Sequence, residues 1–312
     1  MTSEPPAIAV IGSANIDLVA DLDRVPAAGE TVLGRRFAQH FGGKGANQAV
    51  MAARLGARVA FIGAVGDDAY GRQTLENFQA EGIDTTALAT VPGSSGLASI
   101  WVERDGTNRI VVFAGANGLV DPEAARRAVE GLDGVDVVIG QLEIPEVATI
   151  AAFRAAKARG ATTVLNPAPA ADLERELLGL TDWLVPNEVE LAQLAERAMA
   201  DADPDLATFG TTARRGLVVT LGEAGAEIVL DKRADRLPAP GVEAVDTTGA
   251  GDAFVGAFAV GLGLGLTPRD AVRLGIGCAS TSVTRPGAQR SFPDRAAAAA
   301  ILASLERATQ TS

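Results

Sequence analysis

Residues 246–252 read DTTGAGD, and the run that follows them is apolar through Leu264. A glycine-rich turn that opens a helix presents unpaired backbone N–H groups at the positive end of the helix dipole, which suits a phosphate. Glycine also lets a ligand approach the main chain closely. Asp252 falls in the first turn of the predicted helix, where a carboxylate either stabilises the dipole or acts as a general base beside a bound phosphate. The spacing alone leaves both interpretations open.

Upstream of this turn, short β-rich runs alternate with stretches whose apolar residues have helical spacing. Several runs are continuously apolar, as expected for strands covered on both faces by helices. The predicted strands are 7–12, 59–65, 135–140, 162–165, 182–185, 217–221 and 226–230, and the predicted helices are 46–55, 71–81, 122–132, 145–159, 188–198, 251–264, 268–284 and 293–308. This alternation predicts βαβ units and a mostly parallel sheet.

Two segments break the alternation. Residues 18–41 have no long helical pattern, and residues 96–113 resemble two strands around Asp105-Gly106, a strong hairpin signal. They are either a small β-flap that covers an active site or ordinary surface hairpins. Because no linker-like segment divides the chain, we expect residues 1–312 to form a single elaborated domain.

The composition narrows the class of protein. The 312 residues are 47% hydrophobic and 21% charged, as in globular proteins, and the net charge of −12 argues against a nucleic-acid partner or a polybasic membrane surface. The apolar run 253–266 is too short to span a bilayer. Cys278 and His40 are the sole cysteine and histidine, which excludes an intrachain disulfide and HExxH zinc sites. We expect a reduced, cytoplasmic protein without a membrane partner.

A second glycine-rich turn, GGKGANQ at 42–48, also runs into a predicted helix. Its N–H groups could bind hydroxyls or an anion, with Lys44 and Asn47 as further donors. Asn15 and Asp17 follow the first predicted strand, and α/β folds place ligands at the carboxyl ends of parallel strands. Carboxylate and amide side chains bind vicinal hydroxyls well, although an ordinary turn would look the same.

Taken in order, these motifs resemble the ribokinase-like (PfkB) family of carbohydrate kinases, over nearly the whole chain. The motifs are GSANID 12–17, GGKGANQ 42–48, GAVGDD 63–68, QLE 141–143, PNEVE 186–190, TLGEAG 220–225, DTTGAGD 246–252 and RPGAQ 285–289. The resemblance implies a doubly wound α/β fold, with a mostly parallel sheet flanked by helices. It also implies a small β-sheet lid, formed by about 17–41 and 96–113, that often serves as a homodimer interface.

The resemblance further implies transfer of the ATP γ-phosphoryl group to a sugar hydroxyl. Asp252 would be the general base, and the amides of Gly249, Ala250 and Gly251 would form an anion hole. The sugar-site residues by motif position are Asn15, Asp17, Gly43, Lys44, Asn47, Glu143 and Asp252. The nucleotide-site residues are Asn187, Thr220, Gly222, Gly225 and Gly251.

Two metal ions accompany this reaction in the family. Glu190, with Asn187, is expected to order Mg²⁺ through water. A monovalent cation, K⁺, is expected beside the anion hole, held in part by main-chain carbonyls of a set comprising Asp246, Thr248, Ser282, Arg285, Gly287 and Ser291. One departure concerns Gly275 and Ile276, where relatives often present Asn or His to the nucleotide, so we expect only apolar contacts with adenine there.

The first hypothesis for the substrate is D-ribose, phosphorylated at its 5-hydroxyl. Rival substrates are deoxyribose, a ketohexose or a nucleoside such as adenosine. A different class of function is a sugar-binding regulator that has the fold without catalysis. Asp252, the glycine-rich turn and the Asn187–Glu190 pair favour an enzyme, because a sensor needs no base beside an anion hole.

Overall fold

The computed structural model describes residues 4–200 and 215–310. The strands are β1 Ala7–Ile11, β2 Asn15–Asp21, β3 Arg36–Gly42, β4 Arg58–Gly66, β5 Leu88–Val91, β6 Gly96–Val102, β7 Asn108–Phe113, β8 Val137–Gly140, β9 Thr162–Leu165, β10 Trp183–Leu184, β11 Gly216–Thr220, β12 Ala226–Leu230 and β13 Arg233–Leu237. The helices are α1 Lys44–Arg54, α2 Ala69–Glu81, α3 Pro122–Gly131, α4 Glu146–Ala158, α5 Arg175–Leu180, α6 Glu188–Ala200, α7 Ala250–Gly263, α8 Pro268–Ser282 and α9 Arg295–Gln310.

A large sheet has the strand order β13-β12-β11-β10-β9-β8-β1-β4-β5. Pairing is parallel from β11 through β5 and antiparallel between β11, β12 and β13. From β1 the chain first builds toward β4 and β5, and it then crosses to β8 on the other side of β1. This reversal of direction opens a crevice at the carboxyl ends of the central strands, where open α/β sheets bind ligands.

Hydrophobic side chains cover both faces of the large sheet. One core cluster includes Phe61, Phe258 and Met51, and the other includes Phe153 and Val138. Helix α7 is buried along most of its length, which explains why its sequence is apolar on every side. Each fully buried large apolar side chain contributes about 1.5–3 kcal/mol. From Asp252 onward, this burial packs α7 against the sheet.

A separate four-stranded sheet, the small sheet, has the order β3-β2-β6-β7. Strand β2 pairs in parallel with β6 and antiparallel with β3, and β6 and β7 form the predicted hairpin. Residues 110–113 of the edge strand β7 are apolar and more than half exposed. The small sheet therefore has an open, apolar edge.

Most predicted elements are present, with ends that differ by one to a few residues. The structure adds strand structure within 18–41, where β2 and β3 form, and three elements absent from the prediction: β5, α5 and β13. Strand β13 reads RADRL, and its polar, edge-strand character hides it from a search for apolar runs. The helices within 4–200 and 215–310 all fall short of the length and hydrophobicity that a membrane crossing requires.

Candidate active site

Asp252 lies in the first turn of α7 and is buried, with 8% of its surface exposed. Its carboxylate makes no capping contact with its own helix. Instead, Oδ2 accepts a hydrogen bond from Asn47 Nδ2 at 2.9 Å, and Oδ1 accepts one from Gln48 Nε2 at 3.0 Å. The two glycine-rich turns are therefore joined through this carboxylate. A role in capping α7 does not account for the position of Asp252.

Burial raises the pKa of Asp252 to about 6, because an ionised carboxylate loses favourable hydration in the interior. The positive charge of Lys44 and the two amide donors oppose this effect, and the negative charge of Glu143 adds to it. A carboxylate that titrates near neutral pH is well matched to accepting a proton from a hydroxyl.

The turn before α7 presents its main chain to a cleft. Gly249 has a φ of 75°, in the left-handed region that favours glycine, and it is the N-cap of α7. The Ala250 amide donates to the Thr247 carbonyl at 3.2 Å. Among residues 4–200 and 215–310, the amides of Gly251 and Asp252 have no protein acceptor. These unpaired donors at the positive end of α7 suit an anionic group.

The cleft has a volume of about 330 Å³ and holds most of the predicted nucleotide residues together with Asp252. Its lining residues are Lys44, Asn166, Val185, Asn187, Glu188, Val189, Glu190, Thr220, Gly222, Gly249, Gly251, Asp252 and Val255. Gly225 and Ala250 do not line it. A Cβ on Gly225 would lie 2.1 Å from the Leu237 carbonyl oxygen, so glycine at 225 permits a close approach between two chain segments.

Asn187 and Glu190 start α6 by capping it reciprocally. The Glu190 amide donates to Asn187 Oδ1 at 2.8 Å, and the Asn187 amide donates to Glu190 Oε2 at 2.9 Å. This is the arrangement of a capping box. Both residues also line the cleft, so the same pair fixes the helix start and presents carboxylate and amide oxygen atoms beside the nucleotide region.

The predicted sugar residues cluster around the start of α1, and two of them, Lys44 and Asp252, also line the cleft. Asn15 and Asp17 point to the same face of β2, because side chains alternate along a strand. The Asp17 carboxylate packs directly over Gly42, where an added Cβ would lie 2.3 Å from Oδ2. Glu143 Oε2 accepts hydrogen bonds from Ser13 Oγ and, at 3.1 Å, from the Lys44 amide. The predicted carboxylates therefore converge near one point.

The charges in this group influence each other strongly. The pKa of Asp17 is raised to about 7 by burial, with further contributions from Glu143 and Asp252. Burial lowers the pKa of Lys44, but the neighbouring carboxylates of Asp252, Glu143 and Glu190 outweigh it and the net pKa rises. Lys44 therefore remains a cation between the sugar residues and the cleft.

The amides of the second glycine-rich turn are largely occupied by protein acceptors. The Lys44 amide bonds to Glu143, and the Ala46 amide donates to the Ser13 carbonyl at 2.9 Å. The Gly45 amide donates to Ser13 Oγ at 3.4 Å. Three helix-start amides therefore already donate to protein oxygens, which belong to the Glu143 carboxylate and to Ser13.

The residues predicted to hold a monovalent cation lie in one neighbourhood. Asp246 Oδ1 accepts from the Thr248 amide at 2.9 Å, and Oδ2 accepts from the Gly287 amide at 2.7 Å. Ser282 and Ser291 are buried. In the described part of the chain, the main-chain oxygens of five of the six accept no hydrogen bond from protein: Asp246, Thr248, Arg285, Gly287 and Ser291. Within residues 4–200 and 215–310, no group of three or more acidic, histidine or cysteine side chains could hold a metal ion.

Several polar residues of the site were not assigned from the sequence. Gln48 and Asn166 contact Asp252 or each other, and Asn117 Nδ2 donates to Asn15 Oδ1 at 2.7 Å. A usable signal exists for Asn166, which directly follows the buried strand β9.

His40 lies on β3 with Arg290 beside it, and its pKa is lowered by burial and by Arg290 and Arg36.

A buried carboxylate next to unpaired helix amides, with polar side chains able to bind hydroxyls beside a cleft, meets the requirements of phosphoryl transfer to an alcohol. The fold and the site thus define a kinase that acts on small alcohols. The chain belongs to the pfkB family of carbohydrate kinases, whose family model matches residues 6–295.

Individual relatives agree with this membership. The chain is 42% identical over 290 residues to a ribokinase of Bacillus subtilis, covering 92% of this chain and 96% of the relative. It is 38% identical over 291 residues to a deoxyribokinase of Salmonella typhi, covering 92% and 95%. The structure of Arabidopsis thaliana ribokinase complexed with ribose and ATP matches with a TM-score of 0.84 and 30% identity, covering 96% of this chain and 99% of that one. The predicted family and α/β fold with a smaller sheet are confirmed.

Proposed function

We propose that this protein is an ATP-dependent ribokinase, which transfers the ATP γ-phosphoryl group to the 5-hydroxyl of D-ribose. The observation that carries the proposal is the position of Asp252. Its carboxylate is buried and accepts hydrogen bonds from the side-chain amides of Asn47 and Gln48 on α1. It also lies beside the unpaired main-chain amides at the start of α7. The identity to ribokinases along nearly the whole chain supports D-ribose as the substrate.

In the proposed reaction, Asp252 takes the proton of the 5-hydroxyl while that oxygen bonds to the γ-phosphorus. The bond from the γ-phosphorus to the bridging oxygen breaks, and ADP leaves. The amides of Gly249 and Gly251 hold the negative charge of the transferring group, and the Ala250 amide would leave the Thr247 carbonyl to join them. Amides fixed by a buried helix need no reorganisation at that moment. Asn15, Asp17, Gly43, Lys44, Asn47 and Glu143 bind and orient the sugar.

The nucleotide would occupy the cleft lined by Asn187, Thr220 and Gly222. Gly225 would act indirectly, because it lets its chain segment approach the Leu237 carbonyl. At Gly275 an added Cβ would meet the Phe254 ring at 2.8 Å, so that position offers apolar packing and no polar group. Glu190 provides a carboxylate that would hold Mg²⁺ through water, in keeping with the preference of Mg²⁺ for oxygen ligands and retained waters. When bound, Mg²⁺ neutralises charge on the phosphates.

The set around Asp246 fits a K⁺ ion, because carbonyl oxygens without protein donors can replace its hydration shell. Asp246, Thr248, Arg285, Gly287 and Ser291 would supply those oxygens. Ser282, whose carbonyl accepts from the Arg285 amide at 3.3 Å, completes the predicted set. K⁺ should therefore activate the enzyme, and replacing K⁺ with a large organic cation at equal ionic strength should lower kcat. Equal rates in both salts would contradict this assignment.

We further propose that the small sheet closes over the sugar and joins two chains in a homodimer. The exposed apolar residues 110–113 on its edge strand support this, since an unpaired apolar edge tends to associate. Light scattering on the Val111→Glu variant should report a monomer where the wild type gives a dimer. Because the reaction consumes ATP, we assign the protein to the cytoplasm.

The test of the proposed function measures ADP release with ATP, Mg²⁺ and a panel of acceptors. D-ribose should give the highest kcat/KM, and 5-deoxyribose should give no sugar-dependent ADP. A phosphorus NMR spectrum should identify the product as the 5-phosphate. Sugar binding without ADP release would favour a regulator and overturn the enzyme assignment.

The second candidate is deoxyribose kinase activity, which the identity to a deoxyribokinase favours. The same panel separates the two, because a deoxyribokinase would give a higher kcat/KM with 2-deoxyribose than with ribose. Fructose and adenosine cover the other acceptors in this comparison.

A further inference from the structure

Gln48 is fully buried behind Asp252 and donates to it, but it is not among the proposed base, sugar-site or nucleotide-site residues. Its side chain makes three hydrogen bonds. Nε2 donates to Asp252 Oδ1 at 3.0 Å and to Asn166 Oδ1 at 3.2 Å, and Oε1 accepts from Gln141 Nε2 at 2.7 Å. Both amide hydrogens and the oxygen are thereby engaged.

The orientation of this amide follows from the main chain. Asn166 Nδ2 donates to the Val185 carbonyl at 2.8 Å, and a carbonyl can only accept. The oxygen of Asn166 must therefore face Gln48, and the nitrogen of Gln48 must face both Asn166 and Asp252. Gln48 cannot turn its oxygen toward the carboxylate without breaking this chain of bonds.

The network is retained at a cost. Among the described residues, Gln141 Oε1 has no hydrogen-bond partner, although Gln141 is fully buried. A buried carbonyl without a donor is unfavourable, and an apolar side chain of similar size would avoid that penalty. A polar residue at 141 is therefore poorly explained by stability alone, whereas it does fix the acceptor end of Gln48.

We propose that Gln48 is a positioning residue, which holds Asp252 in one orientation and in its ionised form for proton transfer. The inference rests on the proposed function of Asp252. With Asn47 donating to Oδ2 and Gln48 to Oδ1, one lone pair on each oxygen remains for the sugar hydroxyl.

Other charged groups also face Asp252. Lys44 on α1 favours its ionised form, while Glu143 after β8 and Asp17 on β2 disfavour it. None of these groups changes when Gln48 is replaced. A hydrogen bond to the ionised form lowers a pKa, so loss of the Gln48 donor has a defined sign.

The test records kcat against pH for the full-length enzyme with saturating ribose and ATP. In this profile the acid limb is the fall of kcat at low pH, where Asp252 becomes protonated. In Gln48→Met, which retains the size without the donors, the acid limb should move up by about one pH unit, as expected for loss of one hydrogen bond to a buried carboxylate. In Gln48→Glu, an isosteric change that adds a second carboxylate, the limb should move further up. The KM for ribose, measured above the limb, should change less than about threefold, because Gln48 does not reach the sugar.

Thr149→Val is the matched control, since Thr149 is a buried polar residue of α4 without a hydrogen-bond partner among the described residues. Its acid limb should coincide with that of the wild type. Limbs that also coincide in Gln48→Met or Gln48→Glu, whatever the height of kcat, would overturn the proposal. Gln48→Glu serves alone if the methionine variant does not fold. A wild type that does not phosphorylate sugar at all would instead refute the proposed function.

Discussion

The two glycine-rich turns look alike in the sequence but differ in what their amides contact. Each precedes a buried helix, α1 or α7. At the start of α1, protein oxygens from Ser13 and Glu143 take the amides, whereas at the start of α7 the amides of Gly251 and Asp252 have no acceptor in the described residues. A glycine-rich turn is thus a potential anion site, and the neighbouring side chains decide whether it remains one.

The two turns also contribute different chemical groups to the site. The first turn supplies side chains, since Asn47 and Gln48 hold the carboxylate of Asp252. The second turn supplies main-chain donors and the carboxylate itself. Each of the following substitutions alters one part of this division.

The largest effect is expected from Asp252→Asn, which removes the proposed base at the second turn. We expect kcat to fall by at least about 10²-fold, the lower end of general-base contributions, with little change in ribose affinity. A coupled ADP assay and calorimetric ribose titration measure the two quantities.

The matched control is Asp270→Asn, because Asp270 also lies in the first turn of a helix but bonds to Thr267 and Arg273. It should leave kcat unchanged while lowering the free energy of unfolding by about 1 kcal/mol. Near-normal turnover in Asp252→Asn would remove the distinction between the turns.

A second substitution tests the unpaired amide itself. Gly251→Pro removes one N–H from the first helical turn, where proline is tolerated, and we expect kcat to fall by about 10²-fold. Gly251→Ala retains the amide, and an added Cβ there meets no atom within 4 Å, so it should stay within about tenfold of the wild type. Equal losses in the two variants would show that bulk matters and the donor does not.

Asp17→Asn tests the sugar side. Because burial and neighbouring acids raise the pKa of Asp17 to about 7, the folded chain holds this proton more tightly than the unfolded chain does. Ionisation of Asp17 therefore destabilises the ligand-free fold as pH rises through that value. Near pH 8, the free energy of unfolding of Asp17→Asn should exceed that of the wild type by about 1–4 kcal/mol. This difference should vanish below about pH 4.

Calorimetric melting at the two pH values measures this gain. The same variant should raise the KM for ribose by about 10-fold or more, since it loses hydrogen bonds to a charged acceptor. A melting temperature of Asp17→Asn below that of the wild type at the higher pH would contradict the predicted gain in stability.

The smallest effect is expected from Gln289→Leu, which cuts a contact between the loop beside the second turn and the first turn. Gln289 Nε2 donates to Asn47 Oδ1 at 3.1 Å. Losing one such bond is worth about 1 kcal/mol, so the KM for ribose should rise about fivefold with kcat nearly unchanged. A change in kcat alone would mean that Gln289 acts on Asp252 and not on the sugar through Asn47.

The sequence predicted the elements that carry the turns because buried strands and apolar helices leave continuous patterns. The comparisons confirm the family and the overall fold, and the structure places Asp252 beside Asn47. It could not be predicted that Gln48, Gln141 and Asn166 form one network, because these residues are far apart in the chain and only the packing of α1 on the sheet brings them together. The same applies to Glu143, which fills the first turn from a distant loop.

The convergence of Asp17, Glu143 and Asp252 has a calorimetric consequence. If the sugar hydroxyls bind the ionised carboxylate of Asp17, then association near neutral pH expels a proton into the buffer. The measured heat of association will then depend on the ionisation enthalpy of that buffer, and the apparent affinity will increase from mildly acidic to mildly alkaline solution.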